Sequence, residues 1–414
     1  MLKFINELWW QPRDLVSDGI DKTLNHINQI IPLKINSYTT DKKCWTWTVP
    51  KKWELNYGQI KDSKGNIIID TKDHPLHVKS YSIPVNKKIN KKELMKHIST
   101  HKYRGGAIPY EFKYYRDDWG FCMQRNRLGE LDDEQYKVVI DSVFSDGFLR
   151  VGEYDIKGKV DDTILLSAHI CHPYQAEDGL SAVSVLLEIA KELNDRENHY
   201  SYKFLFMPES IGSYAYFSNN TGKVKNIKYG IVLDALGNSN PLALQLSRQG
   251  NTMVDRVAYY VMKKLNPNLE VRKFRAVFRN DERIINGPGV NIPTVAINRG
   301  MFNEWHTSHD TPDIISIEQL TKAKDVVSQI VDILDKDYIP KRLFNGEVFL
   351  SEYDLWVDWR ENYALNEATG QMMLMMEGDM SVFDIAYRLN LDFYQVYDYI
   401  NKFHKNKLIE KGGE

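Results

Sequence analysis

The fold is decided by the stretch TILLSAHICHPYQAEDGLS, residues 163–181. Its first part, 164–168, is a mostly apolar run, which is typical of a strand buried on both faces of a parallel sheet. After a short loop, residues 180–193 are apolar at helical spacing. A buried strand, a loop and a helix in this order predict an α/β fold with a site at the carboxyl end of the strand.

The loop of this stretch concentrates residue types that bind metals. His169 ends the strand-like run, and Cys171 and His172 follow it. Glu177 and Asp178 come just before the helix. Imidazole, thiolate and carboxylate groups are the usual protein ligands of zinc. We therefore interpret this loop as the mouth of a metal site.

Three further stretches repeat the pattern of a buried strand followed by a polar residue. YKFLFMPES carries Glu209, YGIVLDAL carries Asp234, and IPTVAINRG precedes the histidine-rich EWHTSHDTPDII, which contains His306. Amphipathic helices alternate with these strands between about residues 110 and 340. The alternation predicts a mainly parallel sheet flanked by helices.

Changes in sequence character predict three domains. Residues 1–40 and 106–345 form the α/β domain, and the alternating stretches of 41–105 form an inserted small β-rich domain. Residues 346–414 contain two short helices around a turn and favour a winged-helix domain. This segment has about thirteen acidic and six basic residues, so it suits phosphate binding poorly. We expect it to mediate protein contacts, with self-association as one form of them.

Composition argues against several classes of partner. The formal net charge is −2, without the basic excess that nucleic acid or an anionic membrane favours. The N-terminus lacks a signal-peptide pattern, and no apolar run approaches the roughly 20 residues that a membrane span needs. The three cysteines, Cys44, Cys122 and Cys171, are widely spaced, which indicates a reducing compartment. We expect a cytoplasmic protein.

The polar residues after the four strands form one set. The carboxyl ends of parallel strands share an edge of the sheet, so these side chains can converge. Two histidines with three carboxylates are the ligand set of zinc hydrolases. Such a metal acidifies water and polarises a carbonyl, while a nearby carboxylate takes the proton. The set consists of His169, Asp178, Glu209, Asp234 and His306.

The chain resembles the M28-type zinc aminopeptidases, whose fold glutaminyl cyclases share. The resemblance covers roughly residues 110–335 and rests on six motifs in the family's order: LLSAHICH, AEDGLSAVSVLLEIAKEL, FLFMPESIGSYAYF, IVLDALG, FRNDERIINGPGVNIPTVAI and WHTSHDTPDII. The turn Cys171-His172-Pro173, the inserted β module and the acidic C-terminal domain are closer to one bacterial subgroup. That subgroup contains aminopeptidase-like proteins associated with surface-polysaccharide biosynthesis.

The resemblance implies a role for each candidate ligand. Asp178 would bridge two zinc ions. Asp234 would share one ion with His169 or His172, and the position of His172 beyond the strand favours it slightly. The other ion would be held by Glu209 and His306.

Three positions depart from the family pattern. Cys171 stands where an aspartate is usual, Pro208 precedes Glu209 where a second glutamate is usual, and Gly179 follows Asp178. The proton acceptor is therefore open between Glu209 and other acidic residues, and the site holds one zinc ion or two. The other acidic candidates are Glu177, Asp281 and Glu282.

The sequence supports one main hypothesis and two alternatives. The main hypothesis is a zinc-dependent aminopeptidase-like hydrolase, acting on a small molecule or peptide with a free amino group. The first alternative is an amidase, deacylase or cyclase acting in surface-polysaccharide biosynthesis. The second is a non-catalytic binding or scaffold protein with a degenerate metal site.

Overall fold

A computed structural model describes residues 1–276 and 279–412. Its strands are β1 (Lys34–Thr39), β2 (Lys43–Cys44), β3 (Trp47–Thr48), β4 (Lys52–Lys61), β5 (Ile67–Asp70), β6 (Val85–Asn90), β7 (Ile98–Ser99), β8 (Phe121–Cys122), β9 (Gln135–Ser145), β10 (Phe148–Ile156), β11 (Thr163–His169), β12 (Ser201–Met207), β13 (Ile227–Leu233), β14 (Ala243–Gln245), β15 (Glu270–Arg272), β16 (Thr294–Asn298), β17 (Ile339–Arg342) and β18 (Ile409–Gly412).

The helices alternate with the strands through much of the chain. They are α1 (Leu2–Leu8), α2 (Asp18–Asn28), α3 (Lys91–His97), α4 (Ala182–Asn194), α5 (Ile211–Asn219), α6 (Met253–Leu265), α7 (Glu282–Ile285), α8 (Ile317–Lys336), α9 (Tyr363–Met375), α10 (Val382–Leu389) and α11 (Phe393–Lys405). None of the helices described here has both the length and the apolar character of a membrane span.

The largest sheet has eight strands in the order β1-β10-β12-β11-β13-β16-β14-β15. Its middle strands β12, β11, β13 and β16 pair in parallel and are the four that the sequence predicts. Antiparallel ladders add β10 beside β12 and β14 beside β16. The α/β fold with a central sheet and flanking helices is therefore confirmed, and its parallel part is the centre of a mixed sheet.

Burial explains why the middle strands read as apolar runs. Every residue of β12 is buried, and so is every residue of β11 after Thr163. Helix α4 follows β11 and buries nine of its thirteen residues, which is the apolar pattern expected of 180–193. The strand, its loop and this helix therefore form a rigid support for the loop between them.

A second, antiparallel sheet has four strands in the order β5-β4-β9-β6. Its core includes Trp53, Ile60, Trp119 and Tyr136. Three strands come from the predicted insert of 41–105, but β9 comes from Gln135–Ser145 and pairs with both β4 and β6. The β-rich module therefore extends past the predicted boundary, because its central strand is contributed by a later, distant stretch of chain.

The chain divides into two compact units. One comprises Met1–Asp255 and Asn268–Asp325, and the other comprises Arg256–Pro267 and Val326–Glu414. The second unit contains α9, α10 and α11 and an antiparallel pair of β17 with β18. This boundary falls about twenty residues before the predicted start at residue 346, because the end of α8 and strand β17 belong with the C-terminal helices. The winged-helix assignment itself stays a prediction.

Candidate metal centre

The predicted ligands meet at the carboxyl ends of the parallel strands. His169 is the last residue of β11, Asp234 directly follows β13, and Glu209 lies two residues beyond β12. His306 comes from the loop after β16. Each of these residues has an imidazole nitrogen or a carboxylate oxygen within 4 Å of Asp178 or of a histidine of the cluster.

Asp178 lies at the centre of this cluster. Its Oδ1 is 2.8 Å from Nε2 of His169 and 3.2 Å from Nδ1 of His172. Its Oδ2 is 3.3 Å from Nε2 of His306. The two carboxylate oxygens thus face different histidines, which is the arrangement a bridging ligand needs.

The contacts of Asp178 also bear on the choice between His169 and His172. Ligand atoms of these three residues all lie within 4.8 Å of one another. In a tetrahedral zinc site with bonds of about 2.1 Å, neighbouring ligand atoms are roughly 3.4 Å apart. His172 and His306 lie at that spacing from Asp178, whereas His169 is at hydrogen-bonding distance. Both histidines belong to the site, and His172 has the better ligand spacing.

Asp234 supplies a buried carboxylate that the protein does not satisfy. Its Oδ2 accepts a hydrogen bond from Nδ2 of Asn280 at 3.1 Å. Its Oδ1 has no hydrogen-bond partner and lies 3.8 Å from Nε2 of His169. Burial raises the pKa of Asp234 to about 7. An unpaired buried oxygen is rare in proteins, and a bound cation would satisfy it.

The charges of the cluster are strongly coupled. Burial lowers the pKa of His172 to about 4. Burial acts in the same direction on His169, but Asp234 and Asp178 outweigh it and raise the pKa of His169 to about 10. The charges and hydrogen bonds of the histidines overcome the burial of Asp178 and hold its pKa well below the usual value. The carboxylates therefore favour a positive charge on His169 and disfavour further negative charge in the cluster.

Glu209 is the carboxylate of the cluster that solvent reaches. Its side chain is 29% exposed, and its Oε2 is 3.6 Å from Nε2 of His172. Its backbone N–H donates to Sγ of Cys171 at 3.2 Å. Enclosure by protein raises the pKa of Glu209 to about 8, with the charge of Asp281 contributing in the same direction. Cys171 thus positions the backbone of Glu209.

The backbone is strained at two of the histidines. His172 has φ +74° and His306 has φ +52°, in the left-handed region that residues with a Cβ rarely adopt. The ring of Tyr110 lies against both, with centroid distances of 5.7 Å to His172 and 5.2 Å to His306. Such strain tends to persist where packing fixes a functional geometry. The two imidazoles are therefore held in place before any ligand binds.

Comparison with known proteins identifies the family. A family described as a domain of unknown function, DUF4910, matches residues 2–337. The chain belongs to the DUF4910 family. A Clostridium acetobutylicum protein named for polysaccharide biosynthesis, with an aminopeptidase-like domain, is 33% identical over 398 residues, which are 95% of this chain and 92% of that protein.

Solved structures place the DUF4910 chain among zinc exopeptidase-like folds. A crystal structure of a Clostridium acetobutylicum protein described as a peptidase matches with a TM-score of 0.89 and 31% identity, over 99% of this chain and 96% of that one. A zinc aminopeptidase from Bacillus subtilis shares the fold with a TM-score of 0.61 and 15% identity, over 80% of this chain and 93% of that one. The resemblance to M28-type peptidases is thus confirmed for the fold.

Asp310 supports the loop that carries Asp178. Its Oδ1 accepts the backbone N–H groups of Ala176 and Glu177 at 3.1 and 2.7 Å. Its Oδ2 accepts the N–H of Asp178 at 3.1 Å. The HT-x-x-DT motif therefore contributes His306 to the cluster and uses its aspartate to position the central carboxylate.

Arg13 is a positioning residue that sequence reasoning missed. It is fully buried, and its guanidinium donates to the carbonyls of Ile170, His172 and Gln175 at 3.1, 2.8 and 2.6 Å. Burial lowers its pKa to about 10, so it stays charged near neutrality. Arg13 fixes the His172 loop from more than 150 residues upstream, and no local pattern reveals such a contact.

Asn280 and Asp281 form a second support that the sequence did not single out in this role. Nδ2 of Asn280 lies 3.1 Å from Nδ1 of His169 and donates to Asp234. Oδ1 of Asp281 accepts the N–H of Ser210 at 2.9 Å and the hydroxyl of Ser213 at 2.6 Å. The pair therefore orients groups on three strand ends.

Two of the candidate proton acceptors, Glu177 and Glu282, make contacts that do not fit a catalytic role. Oε1 of Glu177 accepts the N–H of Gly237 at 2.8 Å and the N–H and side-chain amide of Asn238 at 2.9 and 2.7 Å. Glu282 is buried and accepts from Nε2 of Gln245 at 3.0 Å. Glu177 thus bonds the loop after β13, and Glu282 links the start of α7 to the end of β14, so Glu209 is the catalytic candidate that lies beside a histidine of the cluster.

The absence of a side chain at Gly179, directly after Asp178, has a steric reason. A Cβ at Gly179 would lie 2.5 Å from the ring of His169, and also 2.6 Å from its carbonyl oxygen. In the sequence, Gly179 is one of the three departures from the family pattern. The structure shows that His169 occupies the space in which any side chain would sit.

Proposed function

We propose that this protein is a zinc-dependent hydrolase of the aminopeptidase type, which cleaves an amide in a substrate with a free amino group. The observation that carries the proposal is the convergence of three histidines and three carboxylates at the ends of four strands. The aminopeptidase-like fold of its relatives supports the reaction class. The expected partner is a small molecule or peptide, because the near-neutral charge does not favour nucleic acid.

The cluster fits a divalent cation chemically. Imidazole nitrogens and carboxylate oxygens are zinc ligands, and the unpaired Oδ1 of Asp234 needs a positive partner. Asp178 would be shared between ions if two bind. Zinc at such a site lowers the pKa of water and polarises an amide carbonyl. The residues that would hold it are His169 or His172, Asp178, Asp234, His306 and, if it is not the base, Glu209.

Glu209 has the position of the proton-transferring group. It is the partly exposed carboxylate of the cluster and lies beside His172. Its backbone is fixed by Cys171 and, through Ser210, by Asp281. A carboxylate held at this place can take a proton from water and deliver it to the leaving amine. If Glu209 has this role, the second adjacent glutamate that is usual in the M28-type family is not required, and one zinc ion suffices.

A second candidate reaction follows from the relative named for polysaccharide biosynthesis. The same site would then hydrolyse an amide on an amino sugar or a sugar precursor, or cyclise an aminoacyl group. The free, buried state of Cys44, Cys122 and Cys171 agrees with a reducing, cytoplasmic location, which we propose together with this role.

Metal analysis and hydrolysis assays test the proposal together. Purified protein is analysed for zinc, and turnover of an aminoacyl-arylamide panel is measured before chelation, after chelation and after zinc is restored. Chelator-sensitive turnover that returns with zinc supports the aminopeptidase reaction. Zinc binding without aminopeptidase turnover, but with release of acetate from N-acetylated sugars, supports the second candidate. A protein that binds no zinc contradicts both and leaves a scaffold role.

A further inference from the structure

A second cavity, of about 160 Å³, lies away from the histidine cluster. It is lined by the segment that leads into α2, by β4 and by residues 75–80. One water molecule occupies about 30 Å³ in the liquid, so this cavity has room for a small organic molecule. We call it the Asp14 cavity, and its polar members are Asp14, Ser17, Asp18, Glu54, Ser80 and Tyr174.

Asp14 brings an unpaired carboxylate to this cavity. The residue is 2% exposed, and its buried Oδ1 accepts no hydrogen bond from the part of the chain that the structure describes. Burial raises the pKa of Asp14 to about 6, while the hydroxyl of Ser80 acts in the opposite direction. The carboxyl is therefore mostly ionised at neutral pH. A buried polar atom without a partner is rare in proteins and requires an explanation.

The cations closest to Asp14 in the sequence and in the cavity are bound elsewhere. All five N–H groups of Arg13 donate to backbone carbonyls, those of Leu8, Trp9, Ile170, His172 and Gln175. Nζ of Lys52 lies 2.9 Å from Asp18 and 3.2 Å from Glu54, the other two carboxylates of the cavity. These two carboxylates thus share a cation, and neither Lys52 nor Arg13 is left to pair with Asp14.

The backbone around Asp14 is held in place. The hydroxyl of Ser17, the N-cap residue of α2, donates to the carbonyl of Asp14 at 2.8 Å. On the other side, the buried guanidinium of Arg13 fixes the preceding residue. The segment therefore cannot easily turn the carboxylate towards solvent, and the charge is in position before a ligand binds.

The walls of the cavity indicate which kind of cation fits. They include the apolar side chains of Trp53, Leu55, Pro75, Leu76 and Val78. Mg²⁺ and Ca²⁺ need several oxygen ligands, and among the described residues Asp14 belongs to no group of three close metal-ligating side chains. A primary ammonium on a short aliphatic chain matches both parts, because its N–H groups donate to the carboxylate and its chain contacts the apolar walls.

We propose that the Asp14 cavity binds a small alkylammonium ion, with Asp14 as its counter-ion. Such an amine is protonated at neutral pH, as a lysine side chain is. Tyr174 also lines the cavity and lies two residues after His172. The bound ion would thus lie beside the loop that carries this histidine, but the site itself needs neither zinc nor the proposed hydrolase reaction.

Saturation-transfer NMR on the zinc-loaded full chain tests the inference, with n-butylammonium as the probe and butan-1-ol as its neutral counterpart. We expect saturation of the alkyl protons of butylammonium and none of butan-1-ol. Asp14→Asn should weaken butylammonium binding about tenfold or more, because a hydrogen bond to a charged group is lost. The matched control is Asp18→Asn in the same cavity, whose carboxylate is 64% exposed and paired with Lys52, and it should leave binding nearly unchanged.

A crystal of the wild type soaked in butylammonium chloride locates the ion without relying on a variant. Its nitrogen should lie within hydrogen-bonding distance of the Asp14 carboxylate. No binding by the wild type, equal binding of butan-1-ol, equal binding by Asp14→Asn, or an ion only at the histidine cluster would overturn the inference. Zinc content and arylamide turnover are measured on the same samples. Their absence with butylammonium binding intact would overturn the proposed hydrolase and not the ammonium site.

Discussion

Two buried carboxylates of the same sheet, Glu153 and Asp234, differ in their hydrogen-bond partners and in the direction of their pKa shift. Glu153, on β10, accepts from Nζ of Lys203 at 2.5 Å, from the hydroxyl of Tyr216 at 2.9 Å and from Nδ2 of Asn36 at 2.8 Å. Burial opposes ionisation there, but these partners outweigh it and lower the pKa of Glu153 to about 2. Asp234, after β13, keeps one oxygen unpaired, and its pKa is raised to about 7.

The difference separates a structural charge from a functional one. A buried ion persists in a stable protein when it is paired and hydrogen-bonded, as Glu153 is. The metal cluster instead gathers Asp178, Asp234 and Glu209 around histidines, with too few cations to neutralise them. This arrangement is unfavourable for folding alone, and a bound divalent ion would offset the repulsion.

The largest effect is expected at the paired charge. Lys203→Met removes the nearest cation of the buried Glu153, leaving only the more distant Lys223 at 3.8 Å, and should lower the free energy of unfolding by about 3 kcal/mol. Urea unfolding followed by circular dichroism measures the change. Adding Glu153→Gln to this variant should recover part of the loss. If Lys203→Met is as stable as the wild type, Glu153 is not held by this pair.

Asp310→Ala should have the next largest effect, because it leaves the buried N–H groups of Glu177 and Asp178 without an acceptor, while that of Ala176 keeps the backbone carbonyl of residue 310. We expect a loss of about 2–3 kcal/mol in stability. Zinc affinity should fall by about 10- to 100-fold, since Asp178 loses its support. Asp313→Ala removes an exposed aspartate three residues away and serves as the control. Unchanged zinc affinity in Asp310→Ala would show that the loop is positioned by other contacts.

Removing the charge of the unpaired carboxylate, Asp234, should change the stability in the opposite direction. Asp234→Asn removes a charge that the metal-free protein does not neutralise well, so stability should stay level or rise by up to about 1 kcal/mol. The same variant should bind zinc more weakly. Urea unfolding in the presence of chelator, beside a zinc titration, separates the two effects. A clear destabilisation of the metal-free variant would mean that Asp234 is already paired.

A further effect is a pH dependence. The pKa of Glu153 is lower in the folded chain, about 2, than its ordinary value of 4.5. The stability it contributes is therefore present above its ordinary pKa and is lost as pH falls towards the folded value. The difference in unfolding free energy between the wild type and Glu153→Gln should shrink between about pH 5 and pH 3. A difference that grows on acidification would reverse the assignment.

Much of the fold was predictable because its signals are local. The four parallel strands each contain a short, mostly apolar run, and the helix after residue 180 has a regular apolar period. The rule that parallel strands place polar residues at one edge then brings His169, Asp178 and Asp234 together. The local apolar pattern and the rule for parallel strands were together enough to predict the central sheet.

The supports of the site could not be predicted, since they depend on contacts between distant segments. Arg13 binds carbonyl groups around His172, and Asp310 binds amides around Asp178, through groups that every residue possesses. The place of β9 in the small sheet likewise depends on pairing across about 80 residues with β4. The presence of both His169 and His172 in one cluster follows from a loop conformation that spacing alone does not determine.

The central claim is that the cluster around Asp178 is a metal centre, and zinc stoichiometry tests it most directly. Wild-type protein, loaded with zinc and dialysed, should retain at least one zinc ion per chain by mass spectrometry. Asp178→Ala and His306→Ala should retain none, while Trp359→Ala should match the wild type. A wild type without zinc, or an Asp178→Ala variant that keeps full occupancy, would contradict the account.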